Sequence, residues 1–319
     1  MNVTGHISFP HVFQPTTVRG IYGKLILALL PVAAFGVHRG GITALMVVIV
    51  AVGTGVVSEF ILDMILNSGD RQPVSRNGRI LYLTVFLSLM LPFDTPPVVV
   101  ALAAAVTVVV GVHLMGGTGV YYINPVFLGL LVAGVAGMST APVHWGDLAV
   151  PSTALVADSR FYQFMMDYVF IPLGMRVPPE AISLIVNLGE TGAVSIGASL
   201  VVPLLLGAVL VLGEDLIPAG PVAAYAAGAV AVLYVADADI VDLMVRSNLM
   251  LVLFFGMVEP STRPVRWKGM VLYGLLAGGL SALFLVVPGP SMPVAAAMVI
   301  VSVFLPLIDQ LLDQLVVRR

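Results

Sequence analysis

The sequence predicts an all-α polytopic membrane protein of about ten transmembrane helices, arranged as two inverted five-helix repeats with broken helices. Three observations predict it. The 319 residues are 59% hydrophobic and 10% charged, and the mean hydropathy is +1.07, which lies far outside the range of a soluble domain. Apolar runs punctuated by Gly, Pro and charge recur along the whole length, each near or somewhat below the ~20 residues that a straight span needs. Glycine-rich breaks interrupt those runs, and irregular backbone survives in hydrocarbon only where protein buries it or it lines a cavity.

The runs fall at roughly 21–38, 41–66, 79–93, 97–115, 123–139, 183–212, 217–235, 243–258, 268–287 and 292–308. The start MNVTGHISFP lacks the basic-then-apolar pattern of a signal peptide, so the first run is expected to remain as a span. With the N-terminus inside, Arg19, Lys24, Arg71, Arg76, Arg79, Arg263, Arg266, Lys268, Arg318 and Arg319 fall on the cytoplasmic side, ten of the fourteen basic residues. The outer side holds only Arg39, Arg160, Arg176 and Arg246, beside acidic groups such as Asp147, Asp158, Asp167 and Glu180. The positive-inside rule therefore predicts a multi-pass protein of the plasma (inner) membrane with both termini cytoplasmic. Trp145 and Trp267 read as interfacial anchors. There are no cysteines, which excludes disulfides, thiol catalysis and cysteine-ligated clusters within the chain. Nothing in the composition points to nucleic acid, and no residue is assigned a catalytic or metal-binding role.

Five spans per half place the halves in opposite orientation: residues 1–182, including an outer segment 140–180, and residues 183–319. Laid without a gap, RILYLTVFLSLMLPFDTPP (79–97) and RSNLMLVLFFGMVEPSTRP (246–264) share Arg, Val, Met, Thr and Pro at five of nineteen positions. Each is the short third span of its half, and short segments in corresponding positions point to a binding site built from discontinuous helices.

The main break is GGTGVYYINP, 116–125. Gly116, Gly117 and Gly119 permit close backbone approach, and Asn124-Pro125 suits the start of a new helix whose free N–H groups can face a cofactor. Helix packing is the competing use of such glycines. A second break, NLGETGA at 187–193, holds Gly189, Glu190 and Thr191. The two breaks are expected to approach each other near the midplane. Glu59 and Asp63, one turn apart, and Glu190 are carboxylates at membrane depth and candidates to bind a cation in transit; the competing reading for Glu59 and Asp63 is an interface where Arg71, Arg76 or Arg79 neutralises them. His113, beside the first break, either tunes a cofactor or packs as a hydrogen-bonded histidine.

SFPHVFQPTTVRGIYGKLILALLP, GGTGVYYINPVFLG, NLGETGA, MVEPSTRPVRWKGMVLYGLLAG and FLPLID occur in order from residue 8 to 309. Together they resemble the flavin-bearing membrane subunits of ion-pumping redox complexes: the D subunit of the Rnf complex and the B subunit of the sodium-pumping NADH:quinone reductase. The resemblance implies an electron-transfer subunit that is not catalytic alone. It implies flavin, as FMN with riboflavin as a second candidate, and coupling of electron flow to Na⁺ or H⁺ movement. The implied partners are other membrane and peripheral subunits, the lipid bilayer, and quinone. It gives the two breaks a flavin-contacting role, at Gly116, Gly117, Gly119 and Asn124 and at Gly189, Glu190 and Thr191. Members of the family also carry Asp-x-x-Ser-Gly-Ala-Thr in the outer segment, the last Thr taking FMN through its hydroxyl. That pattern falls on Asp147 to Thr153, with Ser152 before the Thr, but Val150 and Pro151 replace Ser and Gly. Capping of a following helix is the competing role for Ser152 and Thr153. The alternative function class is a small-solute channel or transporter of urea-channel-like inverted-repeat fold without flavin.

Overall fold

The computed structural model describes residues 17–66, 78–116, 121, 123–137, 163, 166–172, 195–198, 200–214, 216, 219–257, 259, 262–264, 266–287, 289–308 and 310. Among these the chain is helical, with no strand. Helix α1 spans Val18–Leu66, and it is two helices joined at Gly41, whose φ of 60° and ψ of −143° lie outside any helix. The junction falls between the first two expected runs, and only glycine takes that backbone without strain. Next come α2 (Arg79–Met90) and α3 (Pro97–Val108), the latter continuing into a π-helical segment, Val109–Leu114. Helix α4 (Pro125–Ala136) completes the described helices of the first half. After a π-helical turn, Met166–Phe170, the second half has α5 (Val201–Gly213), α6 (Ala219–Val235) and α7 (Ile240–Arg246). It ends with the short α8 (Leu249–Leu251) with its π-helical extension Val252–Gly256, then α9 (Trp267–Val286) and α10 (Pro293–Val303).

Three helices are long and apolar enough to cross a membrane by length and composition: Val18–Ile65, Pro97–Leu114 and Trp267–Val286. The other apolar helices are shorter. Large apolar side chains such as Ile42, Phe60, Met64, Val98 and Val235 stand exposed, as lipid-facing positions of a membrane protein do. Helix α1 packs on α2, α3 and α5, α3 on α4, and α9 on both α6 and α10. Lipid tails are as apolar as a helix surface, so close van der Waals contact, not water exclusion, holds such pairs together. The α6–α9 pair shows it: a Cβ on Gly278 would lie 2.0 Å from the Tyr225 carbonyl oxygen, and one on Gly228 2.3 Å from that of Leu275.

The two short third segments lie side by side and antiparallel. At one end the Tyr82 hydroxyl donates to the carbonyl of Phe255 (2.9 Å), and at the other Asn248 Nδ2 donates to the carbonyl of Met90 (3.1 Å). The start of each segment thus meets the end of the other.

Candidate functional site

The break after the π-helical segment starts as its glycines suggest. Gly116 has φ +103° and donates its N–H to the His113 carbonyl. Pro125 occupies the first turn of α4, and Asn124 is its cap, accepting from the Val126 N–H at 3.1 Å. Asn124 is buried, and its Oδ1 is engaged in that cap. Gly117 and Gly119, Ser152 and Thr153 with Asp147, Val150 and Pro151, the second break with Gly189, Glu190 and Thr191, and Trp145 all lie outside the described residues. Trp267 is exposed at the start of α9, its ring lying over Gly220.

Within the break, Tyr121 is buried and reaches a carboxylate that the sequence reading did not single out. Its hydroxyl donates to Glu259 Oε1 at 2.5 Å, and the Tyr22 hydroxyl donates to the same oxygen at 3.0 Å. Glu259 follows the π-helical end of the second short segment and has no exposed surface. The Arg79 guanidinium stands 5.5 Å from the centre of the Tyr121 ring, a cation–π contact. Arg79 and Arg263 both act electrostatically on Glu259, yet the carboxylate contacts formed by basic side chains among the described residues are the Lys24–Glu214 ion pair and the Glu59–His113 hydrogen bond. Tyr22 lies in the first turns of α1 and Arg79 opens α2, while the Tyr22 and Tyr82 rings approach to 5.8 Å. Tyr121 therefore sits within about a turn or two of the ends of α1 and α2, at one end of the bundle.

Three groups in this cluster have unmet hydrogen-bonding capacity. Arg79 is 1% exposed, and its Nε, Nη1 and Nη2 have no hydrogen-bond partner. Glu259 Oε2 and Arg263 Nη1 are likewise buried without one. Leaving a buried donor or charge unsatisfied costs several kcal/mol, roughly, so native structures retain such groups where a ligand or a function answers them.

The second charged site joins two candidates that the sequence treated separately. Glu59, 1% exposed on α1, meets His113 of the π-helical segment, Oε2 to Nε2 at 2.6 Å. Neutralisation by Arg71, Arg76 or Arg79 at an interface was one expectation for Glu59; its partner here is the imidazole. Val109–Leu114, the end of the run 97–115, is a π-helix, a geometry frequent at functional sites. Asp63, one turn on, is half-buried.

At the far end of α2, residues 195–198, just beyond the second break, are stitched into the bundle. Ile196 N–H donates to the carbonyl of Leu91 and Gly197 N–H to that of Leu89, while Ser195 Oγ donates to Asn248 Oδ1 at 2.5 Å. Arg39, expected in an outer segment, lies inside α1 beside the Gly41 junction. Its guanidinium donates to the carbonyls of Ser195, Ile196 and Ala198.

A family model described as the NQR2, RnfD, RnfE family matches residues 6–318. The D subunit of the proton-translocating ferredoxin:NAD(+) oxidoreductase complex of Clostridium ljungdahlii is 27% identical over 327 residues, covering 95% of this chain and 92% of that protein. The D subunit of the ion-translocating oxidoreductase complex of Methanosarcina acetivorans is 24% identical, covering 86% of this chain and 83% of its own length. The D subunit of the Na(+)-translocating ferredoxin:NAD(+) oxidoreductase complex of Acetobacterium woodii is 24% identical, covering 95% and 92%.

Proposed function

The chain belongs to the NQR2, RnfD, RnfE family, and on that footing we propose that it is a membrane-embedded electron-transfer subunit of an ion-translocating oxidoreductase complex. The observation that carries this reading is the near end-to-end similarity to three proteins, each named as the D subunit of such a complex. The chain is not catalytic alone. It works among other membrane and peripheral subunits in the plasma membrane, with both termini in the cytoplasm and electron flow coupled to Na⁺ or H⁺ movement. Relatives named for protons and for sodium lie at similar distances, so identity does not choose the cation. The proposed architecture is ten spans in two inverted halves, 1–182 and 183–319, a reading supported by the antiparallel Tyr82–Phe255 and Asn248–Met90 contacts of the third segments.

Flavin is the proposed cofactor, as FMN on the Thr153 hydroxyl with Ser152 beside it, and with riboflavin and quinone as further candidates. When bound, a flavin supplies one- and two-electron exchange, and the chain's part is to hold and orient it. Among the described candidates, Gly116 fits an approach to the backbone, its positive φ leaving no side chain over the break. Asn124 fits through the start of α4, which it caps. Gly117, Gly119, Gly189, Glu190 and Thr191 complete the proposed contacts.

The experiment is purification of the chain assembled with its native partners and flavin transferase. A yellow protein whose Thr153 peptide carries an FMN mass, lost in Thr153→Ala and kept in Ser152→Ala, is the expected result. A colourless assembled complex that instead passes a small neutral solute across a bilayer would sink the electron-transfer reading in favour of a channel.

A further inference from the structure

The buried cluster at the start of α1 and α2 has a charge that its own residues do not balance. Arg79 and Arg263 contribute two positive charges, because a guanidinium stays protonated in any protein environment. Glu259 contributes at most one negative charge, since its burial raises its pKa, and Tyr22, Tyr82 and Tyr121 are neutral phenols around it. Among the described residues the balance is at least one uncompensated positive charge, in a place where Arg79 and Glu259 have almost no solvent contact. The hydrogen bonds are unbalanced in the same sense. All three nitrogens of the Arg79 fork lack acceptors, as does Arg263 Nη1, whereas Glu259 Oε2 lacks a donor. Both tyrosine hydroxyl protons are committed to Oε1, so they cannot serve Oε2.

We propose that Arg79, Arg263 and Glu259, held by Tyr22 and Tyr121, form a binding site for a phosphate group in its monoanionic, hydrogen-bearing form. Each part of that description answers an unmet group. The planar guanidinium fork matches two oxygens of a phosphate or carboxylate at once. With Glu259 ionised, one negative charge on the ligand closes the balance among the described residues. A P–OH is the donor that Glu259 Oε2 lacks, and a carboxylate acceptor facing the ligand repels a fully ionised oxyanion. Sulfate has the same size and shape but carries no proton at neutral pH, so the carboxylate selects phosphate against it. Formate or acetate satisfies the guanidinium but offers Glu259 nothing. The phosphate can be free or the headgroup of a phosphomonoester lipid, since both present the same oxygens. None of its residues lies in the 140–180 segment that holds Thr153.

The test uses the full-length chain in phosphatidylcholine nanodiscs, with thermal unfolding followed against added inorganic phosphate, sulfate or acetate at constant ionic strength. Phosphate is expected to raise the melting temperature saturably, with sulfate and acetate much weaker. Arg79→Gln should weaken the half-saturation by about tenfold or more, the scale of one charge-assisted hydrogen bond. Arg266→Gln, at an exposed arginine, should leave it unchanged. Glu259→Gln should let sulfate act as well as phosphate, because an amide can donate to it. If Arg79→Gln does not fold, Arg79→Lys keeps the charge without the fork and serves the same comparison. Nanodiscs containing phosphatidic acid separate the sources: a lipid occupant removes the response to added phosphate, and a free one leaves it. Equal effects of phosphate and sulfate on the unsubstituted chain, no effect of either in phosphatidylcholine alone, or a response undiminished in both Arg79 variants would overturn the proposal.

Discussion

Tyr121→Phe removes one hydroxyl and leaves the ring on Arg79 in place, which makes it a clean probe of the Glu259 cluster. The lost bond is the 2.5 Å contact to Glu259 Oε1, whose other donor is the Tyr22 hydroxyl at 3.0 Å. Hydrogen bonds between neutral side chains in helical membrane proteins average ~0.6 kcal/mol, whereas bonds to charged groups are worth roughly 1.5–3 kcal/mol. With a buried carboxylate as acceptor, the expected loss for Tyr121→Phe is about 2 kcal/mol, and somewhat less for the longer bond in Tyr22→Phe. The double substitution strips Oε1 of both partners while Oε2 already has none. Its cost should therefore exceed the sum of the singles, with a coupling of ~1 kcal/mol or more. The assay is reversible unfolding in mixed detergent micelles, with all four forms measured in the same buffer. Losses near ~0.6 kcal/mol each that simply add within ~0.5 kcal/mol would refute the reasoning, for they would mean that no buried charge depends on these hydroxyls.

His113→Ala should leave Glu59 buried without a partner and cost ~3–5 kcal/mol in the same unfolding assay, while Glu59→Gln with His113 intact should cost clearly less. Gly129→Ala places a Cβ 2.0 Å from Thr107 Oγ1 and 2.6 Å from the Ala103 carbonyl oxygen, so α3 and α4 must separate; a loss of ~1–3 kcal/mol is expected, and a neutral result would show that the two helices are not in register. The absence of native cysteines gives a cross-linking test without background. A Cβ on Gly197 would lie 3.2 Å from that of Leu89, so Leu89→Cys with Gly197→Cys should form a disulfide on mild oxidation, detected by mass spectrometry, whereas Leu81→Cys with Gly197→Cys should not.

What the sequence made legible was local. The junction between the first two runs is Gly41, and Asn124-Pro125 opens α4, because left-handed backbone and a missing N–H are properties of single residues. The short third segments were visible as apolar runs cut by Pro and charge. The Glu259 cluster was not legible, for a physical reason: its two hydroxyl bonds close over 237 and 138 residues, and no spacing rule connects Tyr22, Tyr121 and Glu259. Arg263 counted as cytoplasmic charge and Arg79 also as a repeat position and a neutraliser of Glu59, but neither was linked to Glu259, since a guanidinium at the end of a span reads the same whether it faces lipid headgroups or a buried carboxylate. The pairing of Glu59 with His113 was hidden in the same way, because it depends on the π-helical turn of Val109–Leu114, and composition does not distinguish such a turn from a straight α-helix.

The antiparallel pairing of the third segments fixes where the described flanks of the two breaks lie. The third segments are antiparallel, so an operation that exchanges them carries the start of α2 onto the end where Asn248 meets Met90. The first break delivers Tyr121 to the Arg79 end, and the chain just past the second break, Ser195–Ala198, is fixed by Leu89, Leu91 and Asn248 at the other. Twelve residues of α2 separate these ends, about 18 Å. Tyr121, inside the first break, and Ser195–Ala198, just past the second, thus lie at opposite ends of α2, while Gly189, Glu190 and Thr191 of the second break lie outside the described residues. The Tyr82–Phe255 and Asn248–Met90 hydrogen bonds hold these two segments to each other at both ends, so the antiparallel pairing rests on contacts that neither segment can make in a parallel arrangement.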